Sequence, residues 1–71
     1  MSDRIIVGQN WAAWEAGRQQ WLLATVIREK DGLVTLKYDR GYGIPTGQDE
    51  RRVDENTMLS ATNLFRHINR P

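Results

Sequence analysis

The sequence predicts a small all-β domain, and three observations point there. Asp31-Gly32 separates two runs rich in β-branched and aromatic residues, "LLATVIREK" and "LVTLKYD". Asp-Gly in that setting marks a tight hairpin, because both central residues tolerate positive φ. The run from Leu22 alternates, with Leu22, Ala24, Val26 and Arg28 on one side and Leu23, Thr25, Ile27 and Glu29 on the other. Apolar residues at the start of both sides fit a strand that curls within a small barrel better than the edge of a flat sheet.

Upstream, "VGQNWAAWEAGRQQW" permits two readings. A helix would line up Trp11, Trp14 and Arg18 or Trp21 at spacings of three and four, with Ala12, Ala13 and Ala16 as strong helix formers. A strand would run from about Gln9 to Glu15, turn through Ala16-Gly17-Arg18 and enter the hairpin at Trp21. Gly17 would cost a helix about 1 kcal/mol, and periodicity leaves both readings open. Leu22 to Lys30 and Leu33 to Asp39 follow as paired antiparallel strands. "RGYGIPTGQDE" holds three glycines and a proline and is a loop. "RRVDENTMLS" supplies a fourth strand, with Val53, Met58 and Leu59 as its apolar content. In "ATNLFRHI", Leu64, Phe65 and Ile68 are spaced for a helical turn that hands over to a last strand, and Asn69 to Pro71 should fray.

A chain of 71 residues makes one domain, covering 1–71 with its core at about 6–68. A domain of this size buries roughly 60% of the surface its unfolded chain exposes. With no cysteine, neither a disulfide framework nor a thiolate zinc site supports it, so packing must suffice. No apolar run approaches a membrane span and the N-terminus lacks a basic leader, so a cytoplasmic, soluble protein is expected; the initiating Met suggests a complete one. Ten basic and nine acidic side chains give a net charge of +1, far from the balance of a dedicated nucleic-acid coat.

The ordered string "VGQNWAAW…WLLATV…DGLVTLKYD…GYG…NLFRHI" resembles Tudor-type domains over about Ile6 to Ile68. In that family a Val-Gly pair opens the first strand, the third strand ends in Tyr-Asp before a Tyr-Gly corner, and a "Leu-Arg-x-Ile"-like turn closes the barrel. The resemblance implies a five-stranded SH3-like, Tudor-like barrel with a short helical turn before the last strand, and it turns the Gln9 to Glu15 question toward strand. Methyl-binding members hold a methylated Lys or Arg in an aromatic cage by cation–π attraction. The cage positions map to Trp14, Leu22, Tyr38 and Tyr42, and the polar Asn that often follows the corner maps to Ile44. Leu22 and Ile44 depart from the pattern: Leu has no π face, and Ile cannot hydrogen-bond a guanidinium.

These readings predict a non-catalytic adaptor, with no cofactor and no metal, that binds a protein or peptide partner through an aromatic end of the barrel. Trp14, Tyr38 and Tyr42 would form the site, with Leu22 beside them, Asp39 and Glu15 adding charge, and the loop of residues 40–50 shaping its rim. Trp21 is expected in the core; if Ala12 points inward, Trp11 points outward or under the C-terminal segment, and packing and a second surface are both open to it. The lone His67 has no second ligand at metal spacing, and "GYGIPTG" lacks the GKS or GKT ending of a phosphate loop. Two rival classes remain. Nucleic acid could stack on exposed rings near Lys37, Arg40, Arg51 and Arg52, although interleaved Asp39, Asp49 and Glu50 favour a protein. A homodimer could bury the surplus tryptophans.

Overall fold

The computed structural model describes residues 5–68. Five strands form one antiparallel sheet: β1 (Asn10–Glu15), β2 (Gln20–Lys30), β3 (Leu33–Tyr38), β4 (Glu50–Asp54) and β5 (Phe65–Ile68). They lie in the order β4-β3-β2-β1-β5, so β4 and β5 are the edges. One helix, α1 (Glu55–Ser60), sits between β4 and β5 in sequence, and a 3-10 turn over Arg40–Tyr42 follows β3.

The local reasons are visible in the chain. Asp31 and Gly32 take φ of 52° and 82°, the left-handed pair that a two-residue hairpin requires. Lys30 then sits opposite Leu33. β2 is the organising strand: residues 20–25 pair with β1, and residues 24–30 pair with β3. A bulge between Val26 and Arg28 separates its two halves. Bulges add twist and shift the side-chain phase by one residue. Accordingly Leu22, Ala24 and Val26 are buried, whereas Arg28, which simple alternation places with them, is exposed.

The inner face is lined by Trp11 and Ala13 of β1, Leu22, Ala24 and Val26 of β2, Val34, Leu36 and Tyr38 of β3, Val53 of β4 and Phe65 of β5. Met58 of α1 and Ile5 complete this core. The sheet curls enough for its edges to approach: the Arg51 guanidinium of β4 lies over the Phe65 ring of β5, 5.2 Å from its centroid. α1 contacts both β4 and β5, and its Met58 is fully buried.

Three expectations change here. The fourth strand stops at Asp54 rather than running through "ENTMLS", because the Asp54 carboxylate accepts the Asn56 N–H at 3.1 Å and caps a helix there. Consequently Met58 and Leu59 belong to α1, and the helical turn lies over Glu55–Ser60 rather than on Leu64, Phe65 and Ile68. Trp11, left open between packing and a second surface, is buried beside Ala13, while Ala12 is on the other face. Trp21, expected in the core, is only half-buried, because Leu22 occupies the inward position opposite Ala13. The expected fraying of Asn69 to Pro71 lies outside the described residues.

Candidate functional site

Strand register decides which of the expected site residues can meet. Directly opposed residues point to the same face, and successive residues alternate. Tyr38 pairs with Ala24, whose neighbours on that face are Leu22 and Val26, so Tyr38 faces the core and is 7% exposed. Trp14 pairs with Trp21, an odd number of residues from Ala24 with no bulge between, so both indoles occupy the opposite, outer face. Trp14 and Tyr38 are therefore on opposite sides of the sheet. Among the described residues, the ring partner of Trp14 is Trp21, not Tyr38 or Tyr42. An aromatic cage of Trp14, Tyr38 and Tyr42 does not assemble.

The other expected site residues have structural employment. Leu22 has no solvent exposure and is core, so it cannot flank a ligand. The Tyr42 hydroxyl accepts the Leu23 backbone N–H at 2.7 Å, and its ring packs on the core with Ile44. This explains an apolar residue at position 44: the loop of residues 40–50 folds Ile44 against the core instead of presenting a polar group to a ligand. Asp39 is exposed and caps the 3-10 turn, its carboxylate accepting the Arg40 N–H at 2.9 Å. Glu15 accepts the Gly17 N–H at 3.0 Å and lies 4.0 Å from Arg18, holding the β1–β2 turn.

What the structure does gather is on the outer face. Trp14 and Trp21 meet edge to face, 5.6 Å between centroids and 66° between planes. Such pairs add about 0.5–1.5 kcal/mol beyond area burial. The Arg66 guanidinium of β5 lies 4.7 Å above the Trp21 ring. The two reach each other across Ala12, which is opposite both Leu23 and Arg66 and is small enough to leave the space open. Leu23 continues the patch at 37% exposure, and beyond it Thr25, Ile27, Lys37, Asp39 and Arg40 border a shallow groove. Leu23 and Arg66 had no sequence signal of their own; their position follows only once β1 is known to lie between β2 and β5.

Searches of protein-family models, curated proteins and solved structures find no match to this chain. Among the described residues no group of three or more His, Cys, Asp or Glu is placed to hold a metal ion, and no helix is long and apolar enough to cross a membrane. His67 lies against the Trp11 ring at 5.2 Å, a packing contact at the β5 edge.

Proposed function

We propose that this chain is a non-catalytic protein-binding module with an SH3-like, Tudor-type barrel, and that its partner docks on the outer face of β1 and β2 around Trp14, Trp21 and Leu23. One observation carries the reading: two indoles stand half-buried on the solvent side of a sheet whose core closes without them. In a domain this small, large rings outside the core leave apolar area that a partner can cover. Arg66 over Trp21 supplies a cation at the rim of that area, the composition that binding hot spots favour. The site thus moves from the end of the barrel to its outer wall.

The test is capture of partner proteins from the native host, with amide chemical shifts mapped on addition of the captured partner. Trp14→Ala and Trp21→Ala should each abolish capture while circular dichroism still reports a folded sheet. A partner whose shifts fall elsewhere and whose capture survives both substitutions would sink the assignment. Light scattering separates the rival occupant, since dimerisation through this face would be lost in the same two variants.

A further inference from the structure

At the other end of the outer face, β2, β3 and β4 place two arginines on either side of one hydroxyl. Arg28 and Arg52 each sit directly opposite Thr35, one on the strand to either side. Opposed residues share a face, so both arginine side chains leave the sheet on the same side as Thr35, and the bulge after Val26 is what turns Arg28 outward to join them. Thr35 is 8% exposed, and among the described residues no group hydrogen-bonds its hydroxyl. Neither arginine has a carboxylate within ion-pair distance among the described residues. The three line a groove, with Ile27 and Leu33 as exposed apolar walls and Lys30 beside them. Glu50 and Asp31 are at its rim.

We propose that this groove binds an acidic peptide segment, one carboxylate seated between Arg28 and Arg52 above the Thr35 hydroxyl. The inference rests on the protein-binding reading and gives the partner its chemistry. Two unpaired guanidiniums present parallel N–H donors that match a carboxylate, and such charge-assisted bonds are roughly twice as strong as neutral ones. Ile27 and Leu33 suit apolar side chains alternating with the acids of an extended segment. The exposed apolar walls Ile27 and Leu33 favour such a segment over nucleic acid, whose sugar-phosphate backbone offers no apolar side chains to alternate with its charges.

The experiment is fluorescence anisotropy of the whole chain with a fluorescein-labelled alternating glutamate–leucine peptide, an alternating lysine–leucine peptide and oligouridylate. Only the acidic peptide should bind, shifting the Thr35 amide, and Arg28→Gln with Arg52→Gln should weaken it at least about tenfold, the loss of one charge-assisted bond. Both arginines are exposed, so the folded sheet should survive, which circular dichroism checks. Acidic-peptide affinity unchanged in that double variant overturns the site. So does no binding, equal affinity for the lysine peptide, or tighter arginine-dependent binding of oligouridylate. Trp14→Ala should leave this affinity within about twofold, so loss of partner capture there and loss of peptide binding here fail separately.

Discussion

The Tyr42 hydroxyl takes the Leu23 N–H at 2.7 Å, while the Leu23 carbonyl accepts the Asp39 N–H at 3.0 Å. The β2–β3 ladder ends in regular pairing at Ala24 and Tyr38, so the next backbone donor on β2 is served by a side chain from the 3-10 turn. A tyrosine of the loop thereby fastens the corner to the sheet. Tyr42→Phe should keep the ring on the core and lose only this bond, at a cost of about 1 kcal/mol. For a domain of this size the melting temperature should fall by about 4–8 °C. Native-state hydrogen exchange should show the Leu23 amide speeding up selectively; an unchanged rate would mean that the bond does not form in solution.

Leu22 decides between a ligand-flanking and a core role. Its side chain is fully buried, so Leu22→Ala should destabilise by about 2–5 kcal/mol through lost transfer energy and the cavity left behind. That is a large part of the ~4–10 kcal/mol that a 71-residue domain commands. Leu22→Met, which conserves volume, should cost less than about 1.5 kcal/mol and leave partner capture intact. Denaturant melts of both, with capture measured on the Met variant, check the pair. Weakened capture by a stable Met variant would return Leu22 to the binding surface.

Much of the fold is legible because its determinants are local. Asp31-Gly32 dictates its own turn, and Leu22, Ala24 and Val26 announce one buried side of β2. The faces of β1 are not legible, since Trp-Ala-Ala-Trp presents one large and one small residue to each side under either phase. Which indole goes inward depends on pairing with Ala24 and His67, and on Gln9, whose side-chain oxygen accepts from Trp11 Nε1 at 3.3 Å and from the Ile6 N–H at 3.0 Å. The expected cage failed at that point: a one-residue difference in phase exchanges every side chain between core and solvent. The position of α1 was missed for a different reason. Six residues with a single buried side chain carry no helical period, and only the Asp54 cap marks their start.

Arg51 tests the curl of the sheet. It is the β4 residue opposite Leu36, hence inward-pointing at an edge strand, yet it is exposed. Its guanidinium spans the gap to β5, stacking on Phe65 and donating to the Tyr38 hydroxyl through Nη1 at 3.4 Å. If the two edges stand together in solution, Arg51→Ala and Phe65→Leu should be non-additive. A double-mutant cycle should return a coupling of about 0.5–1 kcal/mol, the range for a solvent-accessible cation–π contact. Arg51→Met, which keeps the apolar stem, should recover part of the packing but none of the coupling, because the attraction to the ring requires charge. Additive single effects would mean that β4 and β5 are apart in solution, and the sheet would be an open one with α1 alone closing it.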